Sequence, residues 1–268
     1  MSAEFKGSFF KLQVHADGVA VATMDRPPVN AVTLEVYREF IRFADHVQSS
    51  DAIRVIVLAA KPENRTWCGG AEVREFVNLD SAGRIARFQL LAEATGRIYQ
   101  IDRPVIAAIS GNVAGAGLTL AALSDIRIGA EGAVAVMPEI DRGLLGNPGL
   151  FRRLGMPEGV IREMLFTGRR FTIEELRHSG LFNYVLPKAE VLPKALEIAH
   201  LMAGKSLAAL KAYKTTMNQS EAALRWQDTS KMTWEVSGQL TESAEAKEGV
   251  RAFLLRGKSK NSDNAKGD

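Results

Sequence analysis

The stretch Gly111-Asn112-Val113-Ala114-Gly115-Ala116-Gly117 decides the fold prediction, because it separates two apolar runs of different character at 104–109 and 118–123. Glycine tolerates positive φ angles and close backbone approach, so the segment predicts a buried strand, a tight turn and a helix start. Unpaired amides at a helix N-terminus attract anionic oxygen, which makes the turn a candidate anion site. The same glycines are equally compatible with a turn that only returns the chain to the sheet.

Outward from this turn, the first half of the chain alternates strand and helix patterns. Short β-rich apolar runs predict strands, and apolar residues at helical spacing predict the helices between them. The strands are predicted at 18–24, 53–58, 104–109 and 125–130, and the helices at 34–47 and 82–101. This alternation indicates an α/β core.

After Pro138 the patterns are mainly helical. Helices are predicted at 147–154, 157–167, after the capping box Thr172-x-x-Glu175, and at 193–204, 207–217, 221–240 and 244–255. We therefore expect an α/β core over residues 1–200 and a helical C-terminal region over 201–257. The tail 258–268 lacks an apolar anchor and is expected to be disordered.

Composition narrows the function classes. The chain has 268 residues, 46% of them hydrophobic, which is enough for one large core. Its 34 Lys and Arg exceed its 31 Asp and Glu by only three, so neither a nucleic-acid nor a membrane surface is expected. Cys68 is the single cysteine, and the start of the chain lacks a signal-like apolar segment, so we expect a cytoplasmic protein. The histidines show no metal-ligand spacing, and no metal site is predicted.

A second turn of small residues, Trp67-Cys68-Gly69-Gly70-Ala71-Glu72, follows the strand predicted before it and leads into a short helical segment at 73–77. Two such turns can supply two backbone N–H groups. If these groups converge, they form an oxyanion hole, whose fixed dipoles stabilise the negative oxygen of an enolate.

Several motifs occur in a specific order along the chain. They are Arg26-Pro27-Pro28-Val29-Asn30-Ala31, the Trp67–Glu72 turn, Pro104-Val105-Ile106-Ala107-Ala108-Ile109-Ser110-Gly111, Gly115-Ala116-Gly117, Ser124-Asp125-Ile126 and Met137-Pro138-Glu139. In this order they resemble the crotonase superfamily, the enoyl-CoA hydratase and isomerase group, from about Gly18 to about Leu255. The resemblance implies a spiral of ββα turns with a helical C-terminal region that forms trimers, often paired into hexamers. It also implies an acyl-CoA thioester substrate and no other cofactor.

The resemblance also assigns roles by position. The amides of Gly69 and Ala116 would hold the thioester oxygen. Arg26, Ala71, Val73 and Phe76 would lie near the CoA path. Thr119, which can donate or accept a hydrogen bond, is a further candidate for binding the substrate. The loop Gly143 to Gly149 differs from the glycine pair that the family usually carries at this position. Because the resemblance implies that this loop helps to shape the acyl pocket, the length of the acyl chain stays open.

The acid/base groups depart from the hydratase pattern. Hydratases of the family carry a glutamate at the position of Thr119, and a hydroxyl without a nearby base is a poor proton acceptor. Glu139 therefore stands as the main acid/base candidate, because a carboxylate in an apolar pocket can have a pKa near neutrality. Asp141 would share the face of Glu139 if the backbone is extended there. Otherwise Asp141 is solvated or paired with a neighbour such as Arg142.

These observations predict an enzyme that transfers a proton through a thioester enolate, with double-bond isomerisation or hydration as its reaction. One alternative is an acyl-CoA hydrolase or decarboxylase in which Glu139 or Asp141 activates water or assists bond cleavage. An alternative of another class is a scaffold or RNA-binding homologue with weak catalysis, which Thr119 and the altered loop suggest.

Overall fold

The computed structural model describes residues 5–77, 79–219, 247–252, 254 and 255. The strands are β1 Phe10–Val14, β2 Val19–Met24, β3 Val55–Ala60, β4 Thr66–Cys68, β5 Val105–Ile109, β6 Asn112–Ala114, β7 Ile126–Ala130, β8 Val134–Val136, β9 Phe171–Thr172 and β10 Tyr184–Leu186. The α-helices are α1 Leu34–Ser49, α2 Ser81–Tyr99, α3 Ala116–Leu123, α4 Pro148–Arg153, α5 Glu158–Thr167, α6 Lys188–Ala203 and α7 Leu207–Asn218. Two 3₁₀ helices span Val73–Phe76 and Ile140–Arg142.

The larger sheet has the strand order β1-β2-β3-β5-β7-β10. β1 and β2 are antiparallel, and the other neighbours are parallel. Every residue of β3 and β5 is buried. Their uninterrupted apolar runs match what parallel strands need when both faces of the sheet are covered.

The smaller sheet has the order β4-β6-β8-β9, and it receives one strand after each central strand of the larger sheet. β3 is followed by β4, β5 by β6, and β7 by β8, before the chain enters a helical segment. The two sheets are therefore built by repeated strand–strand–helix turns. This spiral confirms the α/β fold and the ββα turns that the resemblance implies.

Helices α1 and α2 pack against each other, and α2 also contacts α3. α1 begins after Thr33, whose hydroxyl accepts a hydrogen bond from the N–H of Val36, and its buried face includes Tyr37, Phe40 and Phe43. This N-cap satisfies one of the donors that a helix start leaves without a partner. α2 packs along α1, so side chains from both helices reach the interior near the start of α3.

Most predicted elements lie within two residues of the observed ones, but two predictions need correction. The capping box forms, with the N–H of Thr172 2.6 Å from Glu175 and the N–H of Glu175 3.3 Å from the Thr172 hydroxyl. Residues 173–180 nevertheless form turns and not a helix. The helix predicted at Pro193 begins five residues earlier, at Lys188, so that Pro193 lies inside α6.

The C-terminal predictions are only partly covered by the structure. Residues 247–252, 254 and 255 are helical, in agreement with the helix predicted over 244–255. The helix predicted at 221–240 and the tail at 258–268 lie outside the described residues. The division into a core ending at residue 200 and a helical region to residue 257 therefore stays a prediction.

Candidate active site

The turn before α3 presents a backbone amide at a helix N-terminus. Gly115 is the N-cap of α3 with φ 49° and ψ −118°, a conformation that favours glycine, and no side chain caps the helix. The N–H of Gly115 donates to the carbonyl of Val136 at 3.0 Å, and its own carbonyl accepts from Thr119 at 2.9 Å. The N–H of Ala116 has no acceptor among the described residues. Ala116 is therefore available to bind an oxygen.

The first turn does not offer the amide that the sequence predicted. The N–H of Gly69 donates to the carbonyl of Val29 at 2.8 Å. The N–H of Gly70 forms a hydrogen bond to the thiol sulfur of Cys68. The N–H of Gly69 is therefore already bonded to the protein's own backbone. The structure thus corrects the prediction that Gly69 is an oxyanion donor.

Ala71 carries the remaining amide of this turn. It forms a parallel bridge with Val32, in which Val32 donates to Gly70 at 2.7 Å and Glu72 donates to Val32 at 2.8 Å. In such a bridge the N–H of Ala71 itself points to the opposite edge of the strand. Across the described ranges, no acceptor contacts that N–H.

The opposite edge is the side on which the second turn lies. β4 pairs in parallel with β6, so the chain after β4 runs beside the chain that enters α3. A β-carbon placed on Gly70 would lie 2.7 Å from the carbonyl oxygen of Ala114 and 3.4 Å from the nitrogen of Ala116. Only glycine at position 70 allows this approach, and the amides of Ala71 and Ala116 therefore belong to adjoining turns.

Cys68 supports the turns and does not act as a nucleophile. Its thiol lies 3.2 Å from the carbonyl oxygen of Asn30, and a β-carbon on Gly117 would lie 2.9 Å from its sulfur. Burial raises the pKa of the Cys68 thiol to about 12, against a smaller opposite effect of the hydrogen bond from Gly70. The thiolate is therefore not populated at neutral pH.

Glu139 places a buried carboxylate at the same turn. A β-carbon on Gly115 would lie 2.7 Å from its Oε1 atom, and one on Gly146 would lie 3.8 Å from its Oε2 atom. Oε2 is buried and has no hydrogen-bond partner within the described part of the chain. Burial raises the pKa of Glu139 to about 7; the charge of Asp141 acts in the same direction and Arg142 opposes it. Such a carboxyl can both release and accept a proton near neutral pH.

Asp141 does not share the face of Glu139. The backbone of Glu139 is helical, with φ −60° and ψ −39°, and the 3₁₀ helix Ile140–Arg142 follows directly. Asp141 is exposed, and its Oδ1 lies 3.2 Å from where a β-carbon on Gly168 would be. A shared face requires an extended backbone at Glu139, and that condition is not met, whereas the exposure of Asp141 agrees with the alternative of a solvated side chain. Asp141 influences Glu139 through charge and not through a shared catalytic face.

Thr119 lies in α3, one helical turn after Gly115 and half-buried. The Oε1 atom of Glu139 lies against that same glycine. Thr119 therefore lies one helical turn from the glycine that Glu139 contacts, at the position where the hydratases that this chain resembles carry a second carboxylate.

The other predicted binding residues surround the first turn. Arg26 donates to the carbonyl of Ala31 at 3.2 Å and lies 3.9 Å from the carboxylate of Glu72. Val73 begins the 3₁₀ helix that follows the turn and is half-buried. Phe76 is buried, and Arg87 lies over its ring at 4.4 Å. Arg26 and Val73 therefore lie at the rim of the turn, whereas Phe76 lies behind it.

A set of buried polar side chains behind the turns was not predicted from the sequence. Its members are Tyr37 on α1 and Arg84 and Arg87 on α2. The only signal was the occurrence of two arginines, three residues apart, on the helix face that packs inward.

Two kinds of feature are absent from the described residues. No helix there is long and apolar enough to cross a membrane. Within the same ranges, His, Cys, Asp and Glu side chains form no group of three or more that could hold a metal ion.

Comparisons with known proteins bear on the family and the fold of this chain. A family model described as enoyl-CoA hydratase/isomerase matches residues 15–264. A Bacillus subtilis protein named "Probable enoyl-CoA hydratase" is 32% identical over 90% of this chain and 93% of its own. A hexahydroindene-carboxyl-CoA hydrolase from Rhodococcus jostii is 28% identical over 75% of this chain and 78% of its own. The crystal structure of human mitochondrial delta3-delta2-enoyl-CoA isomerase is similar with a TM-score of 0.84 at 20% identity, over 94% of this chain and 99% of that one.

Proposed function

Because the chain belongs to the enoyl-CoA hydratase/isomerase family of the crotonase superfamily, we propose that it moves a proton within an acyl-CoA thioester through an enolate. The observation that carries this proposal is the position of Glu139. Its buried carboxylate lies against Gly115, directly before the unpaired amide of Ala116. A base thus adjoins a group that can stabilise the charge which proton removal creates.

The amides of Ala71 and Ala116 receive the thioester oxygen in this proposal. Both N–H groups lack an acceptor in the described structure, and they belong to turns that touch through Gly70. As the enolate forms, negative charge grows on the thioester oxygen, and fixed N–H dipoles stabilise it without reorganising. Each donor of this kind lowers the barrier by about 3 to 4 kcal/mol.

Glu139 carries the proton. With a pKa of about 7, a large fraction of the carboxyl is ionised at neutral pH. The carboxylate removes a proton from C2 of a 3-enoyl thioester, and the electron pair of that bond moves toward the thioester oxygen. The protonated Glu139 then returns the proton to C4, which leaves the double bond between C2 and C3. No redox step occurs, so a cofactor other than CoA is not needed.

Isomerisation fits this site better than hydration. Hydration requires a water molecule that is positioned and activated while it adds across the double bond. In the hydratases that the chain resembles, two carboxylates hold that water, and here Thr119 replaces one of them. A single carboxylate is sufficient for a proton shuttle between two carbons.

Hydrolysis is the second candidate, because a relative of this chain is named as the hydrolase of a carboxyl-CoA compound. In that reaction Glu139 would activate water. Asp141 would not assist, since it is exposed on another face. The third prediction, a scaffold or RNA-binding homologue with weak catalysis, is not supported by a site that retains the base and both amides.

Glu139→Gln tests the proposal against 2-enoyl and 3-enoyl thioesters of several chain lengths. We expect turnover to fall by at least a hundredfold on every active ester. A thiol reagent identifies hydrolysis, because only that reaction releases free CoA. Glu131→Gln is a matched control, since Glu131 is exposed and its carboxylate lies 3.5 Å from the guanidinium of Arg177. Unchanged turnover in Glu139→Gln removes Glu139 from its proposed role.

We extend the proposal to binding, assembly and location. Arg26 and Val73 contact the CoA path at the rim of the first turn, with Ala71 as an oxygen-binding amide instead of a CoA contact. The chain assembles as a homotrimer or a dimer of trimers, as the sequence resemblance implies. Analytical ultracentrifugation of the full chain tests the assembly, and a cytoplasmic location is the matching expectation for a protein with a single, reduced cysteine.

A further inference from the structure

Several side chains near the candidate site bury polar atoms that have no hydrogen-bond partner in the described part of the chain. They include the hydroxyl of Tyr37, Nη2 of Arg87 and Oε2 of Glu139. Tyr37 is 1% exposed and Arg87 is 3% exposed. Buried donors without partners destabilise a protein, so a cluster of them close to a reactive group indicates a ligand that completes their hydrogen bonds.

Arg87 is held in place by the protein. Its Nη1 forms an ion pair with Glu75, whose carboxylate also accepts from the N–H of Leu34 at 3.1 Å. Its guanidinium lies over the rings of Phe76 at 4.4 Å and Tyr37 at 5.6 Å. Nη2 is therefore a fixed donor, and its neighbour is the Tyr37 ring.

Tyr37 connects this donor to the reaction site. Burial raises the pKa of its hydroxyl, the nearby Arg87 charge opposes the rise, and the negative charges of Glu75 and Glu139 add to it. Arg87 also contacts Phe76, which follows Ala71 by five residues in the chain. The Tyr37 hydroxyl and the Arg87 guanidinium therefore lie buried beside the segment that follows the first turn, within electrostatic reach of Glu139.

A purely hydrocarbon acyl chain does not match the Tyr37 hydroxyl and Arg87 Nη2, because it leaves both donors without acceptors. An oxygen atom on the acyl chain accepts from both of them. Because Glu75 already neutralises one cationic charge, either a keto oxygen or a carboxylate oxygen is compatible with the pair of donors.

We infer that the acyl group of the substrate carries an oxygen acceptor away from the thioester, a carboxylate or a keto group, which the Tyr37 hydroxyl and Arg87 Nη2 bind. This inference rests on the proposed function, because it takes the acyl-CoA site at Glu139 as given. It names the substrate class: oxygenated acyl-CoA esters instead of simple alkyl ones.

Calorimetric binding to the full chain tests the inference without requiring turnover. The probes are three saturated six-carbon CoA esters: hexanoyl-CoA, 5-oxohexanoyl-CoA and the ester with a terminal carboxylate, adipoyl-CoA. We expect at least one oxygenated ester to bind tenfold or more tightly than hexanoyl-CoA, and the stronger of the two identifies the acceptor group. Equal or weaker binding of both oxygenated esters overturns the inference.

Tyr37→Phe and Arg87→Met separate recognition from general effects. We expect each to reduce the preference for the oxygenated ester by about tenfold, with little change for hexanoyl-CoA. Arg87→Met leaves Glu75 without its ion-pair partner. If that variant fails to fold, the double variant Arg87→Met with Glu75→Gln measures the same loss of preference for the oxygenated ester. Tyr184→Phe, at an exposed tyrosine on β10, is the matched control. Equal losses for all esters in Tyr37→Phe contradict the inference.

A failure of the proposed function would give a different experimental result from a failure of this inference. If none of the three esters binds, and 2-enoyl and 3-enoyl esters are not turned over, the acyl-CoA site itself is wrong. If hexanoyl-CoA binds at least as tightly as the oxygenated esters, the acyl-CoA site stands and only the oxygen-binding inference fails.

Discussion

The Oε1 atom of Glu139 lies so close to Gly115 that a β-carbon at position 115 would approach it to 2.7 Å. Gly115 has a positive φ of 49° and supplies the N-cap of α3. One glycine therefore places the base and the oxygen-binding amide of Ala116 next to each other. The same glycine makes both arrangements depend on the absence of a side chain.

Gly115→Ala is expected to disrupt the site. The new methyl group would collide with the Glu139 carboxylate, and alanine is strained at this φ, so we expect a loss of about 1 to 3 kcal/mol in the free energy of unfolding. Catalytic efficiency should fall by at least a hundredfold. Chemical denaturation and steady-state kinetics measure the two effects.

Gly96→Ala is the matched control, because Gly96 lies within α2 and a β-carbon there would meet no atom within 4 Å. That substitution should raise the free energy of unfolding by up to about 1 kcal/mol, since alanine favours a helix. Activity after Gly115→Ala that equals that of the control would contradict the proposed contact.

The pH dependence of turnover should report Glu139. A base must be ionised to remove a proton, and burial raises the pKa of this carboxyl to about 7. We therefore expect kcat/KM for a 3-enoyl ester to fall about tenfold per pH unit well below pH 7 and to level off above it. A profile that stays flat from pH 5 to pH 8 would show that another group accepts the proton.

The free energy of unfolding should fall as pH rises, whereas turnover should increase. Because the folded-state pKa of Glu139 lies above the ordinary glutamate value of 4.5, its contribution to stability is complete below about pH 4.5 and is lost as pH rises through about 7. Glu139→Gln removes this loss. The variant should unfold with a free energy up to about 3 kcal/mol above wild type at pH 8, and the difference should disappear near pH 4.

Denaturation series at both pH values measure that difference. The exposed variant Glu131→Gln should show no such crossover. A Glu139→Gln protein that is less stable than wild type at pH 8 would mean that the carboxylate is satisfied by a partner.

Replacing the amide of Ala71 by an ester tests the corrected oxyanion donor. Lactic acid at position 71 removes the N–H and keeps the side chain, and we expect kcat to fall by about a hundred- to a thousandfold. Glycolic acid at position 69 instead removes the hydrogen bond to Val29. That change should cost about 1 kcal/mol of stability and much less activity. The reverse pattern would restore Gly69 as the donor.

Thr119→Glu is expected to change the reaction. The residue is half-buried in α3, one turn after Gly115, and the substitution places a second carboxylate near Glu139. Hydration of a 2-enoyl ester should rise by tenfold or more relative to isomerisation of the 3-enoyl ester. Loss of the conjugated enoyl absorbance measures hydration, and Thr119→Gln, which is similar in size but uncharged, should show no gain.

The main elements and the reactive carboxylate could be predicted from local sequence. Buried apolar runs and helical periodicity locate strands such as β3 and helices such as α1, because burial on one or both faces imposes those patterns over short distances. The glycines at 115 and 117 predict the turn for the same local reason. Strands of three residues or fewer, such as β6 and β8, are too short for periodicity to show.

The identity of the oxygen-binding amide was decided by tertiary structure. Gly69 and Ala71 are two residues apart in one motif, and only the hydrogen bond from Gly69 to Val29, forty positions away in the chain, shows which N–H is taken. Likewise, the exclusion of Asp141 depends on the helical backbone at Glu139. Neither fact has a local sequence signal.

The sequence by itself determined that this protein has an α/β core with a glycine turn and Glu139 as its acid/base candidate, since residue type and spacing specify both. Only the tertiary structure decided that Ala71 and not Gly69 has an available amide, and that Tyr37 and Arg87 are buried with polar atoms that lack partners among the described residues. The physical reason is that a polar group's capacity to bind a ligand depends on which of its hydrogen bonds the rest of the fold has already formed, and those partners come from distant parts of the chain.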